Sequence, residues 1–330
     1  MVTFLSGGTG TPKLLDGAGA AYDPGEVTVV ANTGDDVEIG GLFVSPDVDT
    51  VLYQAGGVLD RDRWWGIRND TERTHGALEE LRSRAGLPSE PQFLPESAQT
   101  NGRRISRWRR FGGVPEFMTI GDRDRAVHLL RTSLLDAGES LTTVTRRLGE
   151  AFEIPIELLP MSDDPVASLI HTDEGLIHFQ EYWIAREGEP TVERVEFRGS
   201  SSAEPTSAVL GALEDVVVIG PSNPVTSIGP MLALPGVRER LQDTTVVAVS
   251  PFVGEEAFSG PAGSLMAAVG ADPSTAGLET AYPFADAMIV DEREEISLGV
   301  ETVHTDIEIT DRRDAARVIE AVETAIDRVT

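Results

Sequence analysis

The chain contains no cysteine, which excludes disulfides, thiolate metal sites and cysteine nucleophiles. Basic charge is scarce: 27 Lys and Arg stand against 55 Asp and Glu, a formal net charge of -28. With a pI near 4.4, generic nucleic-acid binding is disfavoured, because neutralising phosphates needs a basic face. Lysine is almost missing: Lys13 stands alone, and the other 26 of the 27 basic residues are arginine. No apolar run approaches the roughly 20 residues needed to span a bilayer. The chain opens directly into an apparent strand, Val2 to Leu5, with no charged leader or apolar signal segment. A soluble, cytoplasmic protein without membrane or nucleic-acid contacts is expected. The five histidines, His75, His128, His171, His178 and His304, show no H-E-x-x-H spacing. There is no G-x-S-x-G elbow either. Zinc hydrolysis and a serine triad therefore lack their signatures.

Acidic residues are spread along the chain rather than gathered in a tail. Adaptation to high salt explains that better than an acidic docking surface, since a dense carboxylate surface stays hydrated and salt screens its self-repulsion. The shortage of lysine fits, because lysine carries a long apolar stem. Against that background Lys13 reads as a cation kept for its charge.

Val2–Leu5, Val27–Ala31, Val216–Ile219, Thr245–Val249 and Ala287–Val290 are short apolar runs without polar alternation. They read as strands buried on both faces of a mostly parallel sheet, and the helical patterns after several of them predict a Rossmann-like, doubly wound α/β fold. The expectation is a single domain over 1–330 with a mainly helical subdomain at about 60–152. Within it, 124–136 places Ala126, Val127, Leu129, Leu130 and Leu134 on one stripe, and Ser140 is a candidate N-cap. Residues 88–115 read as a long Arg-rich loop. Leu176–Phe179 and Val192–Phe197 flank Gly188-Glu189-Pro190 and predict a β-hairpin or meander. Residues 311–329 predict an amphipathic closing helix carrying Ala316, Val318, Ile319, Val322 and Ile326.

The first strand runs into Ser6-Gly7-Gly8-Thr9-Gly10-Thr11-Pro12-Lys13. Glycines let a backbone approach a phosphate, Pro12 suits a first helical turn, and a helix N-terminus favours an anion. The spacing is neither Walker A nor G-x-G-x-x-G, so a plain βα turn fits nearly as well; Lys13 tips the reading towards phosphate. Asn32-Thr33-Gly34-Asp35-Asp36 ends the second strand, where open α/β sheets bind ligands. Asp35 and Asp49 are candidate Mg²⁺ ligands, although Asp49 or Thr50 could equally cap a helix. Trp64 and Trp65 could stack on a flat ring, or serve as a core anchor and its exposed neighbour. Asp163 and Asp164 form either a cap or a site. Gly220-Pro221-Ser222-Asn223-Pro224, followed by Thr226-Ser227-Ile228-Gly229-Pro230, suits recognition of a nucleotide. Arg103, Arg104, Arg107, Arg109 and Arg110 crowd the long loop, with Arg103, Arg107 and Arg110 on one helical face; a solvated face is the default reading.

These segments together resemble the 2-phospho-L-lactate transferase family of deazaflavin coenzyme biosynthesis. The resemblance rests on Ser6–Asp16, Ser45–Tyr53, Arg63–Ile67 with Asn69–Thr71, Gly121–Arg125, Met161–Val166, His178–Gln180, Gly220–Pro224 with Thr226–Pro230, and Ser259–Gly263, in order along the chain. It implies a Rossmann-like core with a helical addition, a homodimer and a need for Mg²⁺. The implied reaction moves a 2-phospholactyl group from lactyl-2-diphospho-5'-guanosine to 7,8-didemethyl-8-hydroxy-5-deazariboflavin, releasing GMP, in coenzyme F-420 biosynthesis. By the same resemblance, Gly7, Gly8, Thr9, Gly10, Thr11, Lys13, Asn32, Ser222, Asn223 and Pro224 would hold the guanosine diphosphate moiety. Asp49 would contact the deazaflavin or the metal, Trp64 and Trp65 would meet the deazaflavin, and a carboxylate such as Asp49 would orient the attacking hydroxyl.

Two features depart from the family pattern. Met118-Thr119-Ile120 stands where a basic residue contacts the deazaflavin, and the Arg-rich insertion is longer than the family norm. Two rival functions remain to be tested. A nucleotide-sugar-binding regulator of the same fold would lack transfer activity. An NAD dehydrogenase would need a different glycine spacing after the first strand.

Overall fold

The computed structural model describes residues 1–87, 94–106, 109–110, 116–253, 256–257 and 260–330, with only the backbone of 106, 109 and 110. Its centre is a seven-stranded, wholly parallel sheet. In chain order the strands are β1 (Val2–Ser6), β2 (Val27–Ala31), β3 (Glu157–Pro160), β4 (Val216–Ile219), β5 (Val246–Val249), β6 (Ala287–Asp291) and β7 (Glu301–Thr305). Across the sheet they run β3-β2-β1-β4-β5-β6-β7. The five apolar runs of the sequence are the five inner strands. Both edge strands escaped the apolar criterion, because β3 starts at Glu157 and β7 buries only Val303.

Alternate side chains of each strand enter opposite cores, as the two-residue period requires. Phe4, Val29, Val218, Val247 and Ile289 meet one helical layer, which includes α1 (Gly10–Leu15), α2 (Pro46–Ala55) and the closing helix Arg312–Val329. Leu5, Val30, Ile219, Ala248 and Met288 meet the other layer. The closing helix begins at Asp311, whose side chain accepts from the backbone N–H groups of Arg313 and Asp314. Its buried face carries Val318, Ile319 and Val322 as expected, with Ala315, Ala321 and Ala325 beside them.

Two sequence expectations need correction. Gly175–His178 and Val192–Arg198 are not hairpin partners; each pairs with Ala167–Thr172, which lies between them in an antiparallel three-stranded sheet. The second correction concerns the helix Asp122–Asp136, hereafter α3. Leu129 and Leu130 are 58% and 48% exposed, and the side turned inward is Asp124, Val127, His128, Arg131 and Thr132. A hydrophobic stripe predicts the buried face only where that face is apolar. Here it is polar.

The segment between β2 and β3 supplies α2, α3, and the helices Arg73–Arg84 and Leu141–Ala151. Ser140 caps the last of these, accepting from Thr143 N–H at 3.2 Å. The backbone of Arg109–Arg110 is a short strand beside Glu38 and Ile39, so 110 does not continue the helix that holds Arg103. Arg107 and Trp108 lie outside the described residues, as does Ser259.

Candidate active site

The strand order changes direction between β1 and β4, the switch point where open α/β sheets leave a crevice at their carboxyl ends. Three turns meet there. After β1, Gly8 takes φ +59°, a left-handed conformation that suits glycine. A Cβ on Gly10 would lie 1.8 Å from the Pro221 carbonyl oxygen, so only glycine lets the β1 and β4 turns touch. Ser222 fastens them: its Oγ–H donates to Gly7 O at 2.6 Å and its oxygen lies 2.7 Å from Thr11 Oγ1.

Asn32 ties in the third turn. Its Nδ2 donates to Asp47 Oδ2 at 2.8 Å and to Thr226 O at 3.2 Å, while its Oδ1 accepts from Gly34 N–H. Asp47 also accepts from Gly8 N–H at 2.7 Å. Asn223 caps the next segment through Val225 and Thr226 N–H, with Pro224 following in its first turn. Asn32, Ser222 and Asn223 are therefore brought together at the crevice, and these side-chain bonds brace its walls.

Four carboxylates enter beneath the turns. Pro46 at the start of α2 presets the first turn, and Asp47 and Asp49, both buried, sit in that turn rather than capping it. Burial raises Asp47 to about 6, against the hydrogen bonds from Asn32 and Gly8 that favour its ionised form. Burial, then the neighbouring Asp47 charge, pushes Asp35 well up. Burial also raises Asp36 well up, although Ser45 Oγ donates to it at 2.6 Å. Asp49 meets Arg131 instead: Nη1 donates to Oδ2 at 2.9 Å and Nη2 donates to Oδ1. Ser6 Oγ, Thr33 Oγ1, Thr226 Oγ1 and Asp35 Oδ1 are buried in the same region without a hydrogen-bond partner. Buried polar atoms are nearly always satisfied, so an orphan group at a crevice marks a place for ligand, ion or water.

Lys13 is half-buried, and loss of solvation lowers its pKa. Among the described residues it makes no salt bridge; its Nζ lies 5.2 Å from the centre of the Trp64 ring, a cation–π distance. Arg61 faces the same ring at 5.7 Å. Trp65 turns elsewhere, 41% exposed with Arg63 at 5.3 Å. The two tryptophans thus do not form one surface; Trp64 lies beside Lys13 at the turn after β1.

Other motif positions are structural. Asp70 accepts from Arg123 and Asp124 N–H at the start of α3, and Asp122 accepts from Arg73 and Thr74 N–H at the start of the helix before it. Asp163 accepts from Thr142 N–H. No basic side chain comes from 118–120, and nearby Arg125 is paired with both oxygens of Glu116.

The model of the family described as "2-phospho-L-lactate transferase CofD" matches residues 2–325. The chain belongs to that family. The 2-phospho-L-lactate transferase of Haloarcula marismortui is 61% identical to it over 329 residues, covering 100% of both chains. That of Halobacterium salinarum is 57% identical, covering 99% of this chain and 98% of its own. That of Methanosarcina acetivorans is 44% identical, covering 88% and 86%. A crystal structure of a upf0052 family member from Bacillus halodurans superposes with a TM-score of 0.59 over 98% of each chain, at 17% identity. That likeness speaks for the α/β fold alone. Membership of the CofD family makes the chain a transferase of coenzyme F-420 biosynthesis, and the regulator alternative is not favoured.

Sequence reasoning missed Asp124, His128 and Arg131. Their spacing of four and three residues on a helix was a usable signal, but the apolar stripe beside them drew the reading away.

Proposed function

We propose that this chain transfers the 2-phospholactyl group of lactyl-2-diphospho-5'-guanosine to the ribityl hydroxyl of 7,8-didemethyl-8-hydroxy-5-deazariboflavin, releasing GMP. The observation that carries this reading is the convergence at the β1/β4 switch point of a glycine turn, a lysine without a salt bridge among the described residues, and buried carboxylates of which Asp35 has an orphan oxygen. The acceptor oxygen forms a bond to the lactyl-bearing phosphorus as the bond from that phosphorus to the bridging oxygen breaks. GMP leaves with the electron pair, and the hydroxyl proton passes to the Asp49 carboxylate. Positioning and charge neutralisation supply most of the acceleration in such transfers. Lys13 would steady the diphosphate, and Gly7, Gly8, Thr9, Gly10 and Thr11 would shape the turn around it.

Mg²⁺ belongs to this proposal. Among the described residues no three His, Asp or Glu side chains form a complete metal cage, and Mg²⁺ usually takes one or two carboxylates, substrate phosphates and water. Asp35, with its orphan Oδ1, fits that requirement together with Asp36 or Asp47. Asp49, engaged by Arg131, is better suited to the acceptor than to the metal. Bound Mg²⁺ would offset the charge of the diphosphate and of the buried aspartates.

A cytoplasmic homodimer working at high salt completes the reading. The net charge of -28 supports the salt dependence, and the exposed Leu129 and Leu130 offer an apolar surface for a second copy. No helix among the described residues is long and apolar enough to cross a membrane.

The test incubates the protein in molar salt with Mg²⁺, the deazaflavin alcohol and the guanosine donor, and identifies products by mass. GMP and an acceptor heavier by one phospholactyl group are expected. Donor binding with neither GMP release nor acceptor gain overturns the proposal.

A further inference from the structure

The inward face of α3 carries a buried ionisable network that joins it to α2. Arg131 is fully buried, the bulkiest side chain in that state. Its two terminal nitrogens take one oxygen each of Asp49 on α2. The Nη1 group also lies 3.2 Å from His128 Nδ1. Arginine can only donate, so His128 Nδ1 accepts and the ring proton sits on Nε2. That nitrogen is 3.1 Å from Asp124 Oδ1, which also accepts from Tyr53 OH at 2.6 Å. The chain of contacts therefore runs Tyr53–Asp124–His128–Arg131–Asp49 and returns to α2, since Asp49 and Tyr53 sit one helical turn apart.

Stability alone does not explain this arrangement. A buried ion pair recovers little more than its own desolvation, and apolar side chains of the same volume often serve as well. What it does supply is orientation. A bidentate guanidinium fixes the plane of a carboxylate as a lysine cannot. Each Asp49 oxygen spends one lone pair on Arg131 and keeps another for a second partner.

We infer that Arg131, held by His128, is a positioning residue for the transfer, fixing Asp49 so that its remaining lone pairs face the acceptor hydroxyl. The inference rests on the assignment of Asp49 to the acceptor given above. It makes the inserted helix α3 part of the catalytic apparatus: Arg131 touches no substrate and acts through Asp49. The lone pairs of Asp49 that Arg131 does not use are the ones left for the acceptor, and Asp36 lies close enough to feel the charges of both Asp49 and Arg131.

The experiment compares wild type, Arg131→Lys, His128→Gln, Asp49→Asn and the double variant Arg131→Lys/Asp49→Asn. It measures kcat, the KM for acceptor and for donor, and thermal unfolding. Lysine keeps the charge and loses the fork. Arg131→Lys is expected to lower kcat about 10- to 100-fold, the range of a misdirected catalytic group, with the donor KM unchanged. His128→Gln, which keeps a hydrogen-bonding group beside Arg131, is expected to cost less than tenfold. In the Asp49→Asn background, Arg131→Lys is expected to change kcat by less than threefold, because the group it aims is already disabled. A merely structural Arg131 would lower the melting temperature and the amount of active protein in both backgrounds alike. Full kcat in a folded Arg131→Lys protein, or losses that multiply in the double variant, overturns the inference. Full activity of Asp49→Asn overturns the Asp49 assignment as well, and absence of product from wild type overturns the proposed function instead.

Discussion

Replacing Ser222 by alanine tests whether contact between the β1 and β4 turns builds the donor site. Alanine is nearly isosteric, so no cavity of consequence is left and the effect isolates hydrogen bonding. The Ser222 hydroxyl donates to Gly7 O at 2.6 Å, and its oxygen accepts from Thr11 Oγ1 at 2.7 Å. The Thr11 backbone N–H adds a long bond to the same oxygen at 3.4 Å; in the variant, Thr11 Oγ1 can turn its proton to Leu5 O, already 3.2 Å away, so that bond is partly replaced. Gly7 O has no such substitute. One lost bond costs about 1 kcal/mol and an orphaned buried carbonyl about 1–3 kcal/mol more. The expected loss is thus roughly 2–4 kcal/mol, at about 2 °C of melting temperature per kcal/mol in a chain of this size. Differential scanning calorimetry in molar salt should record a drop of about 4–8 °C. The donor KM should rise with the acceptor KM unmoved, since the slackened turn is the one next to Lys13. A melting temperature within about 1 °C of wild type, with both KM values unchanged, would refute the claim that this latch shapes the site.

Two further outcomes follow from the same geometry. Lys13→Met should lower kcat/KM for the donor about 10- to 100-fold, the worth of one charge-assisted hydrogen bond to phosphate. Stability should move by less than about 1 kcal/mol, because only a cation–π contact with Trp64 is lost; unchanged donor kinetics would remove Lys13 from the site. The pH dependence of folding carries the second. Burial raises Asp47 from 3.8 to about 6 in the folded chain, so between those values the native state holds a proton that the unfolded chain has released. Stability from this group is then greatest below about pH 4 and falls as pH rises through about 6, by about 3 kcal/mol in all. Asp47→Asn should flatten that component, read as the difference between metal-free melting curves of variant and wild type from pH 4.5 to 7.5. Parallel curves would show that Asp47 titrates normally.

Val27–Ala31 and Val216–Ile219 were readable to the residue because a strand buried on both faces has no polar alternation to blur it. The edge strands were not, since Glu301-Thr302-Val303-His304-Thr305 buries one residue and resembles a loop. Strand order was unreadable for another reason. β2 and β3 are neighbours across more than a hundred intervening residues, and no local pattern records such a pairing. The turns were legible as segments, but their mutual attachment was not. Nothing in Gly220–Pro224 announces that Pro221 O will fill the space a Cβ on Gly10 would need.

The site itself was half hidden by the composition that flagged it. In a chain this rich in acid, Asp35, Asp36, Asp47 and Asp49 look like four more surface carboxylates, and only burial separates them from the rest. Lysine was informative for the opposite reason: one residue of its kind cannot be background. Arg131 had neither advantage, being one of 26 arginines on a helix whose leucines suggested another inward face. The physical distinction is the cost of burial. An acidic side chain on this surface costs almost nothing, whereas four beneath a sheet's carboxyl end must be answered by hydrogen bonds, by Arg131, or by a raised pKa. The structure shows all three responses within a few residues of one another, and Asp35 Oδ1 still has no partner. That unmet acceptor, more than any motif, is why we propose that the crevice takes Mg²⁺ and diphosphate together rather than either alone: the cation would offset the aspartates, and the anion would complete the coordination that so few protein ligands leave open.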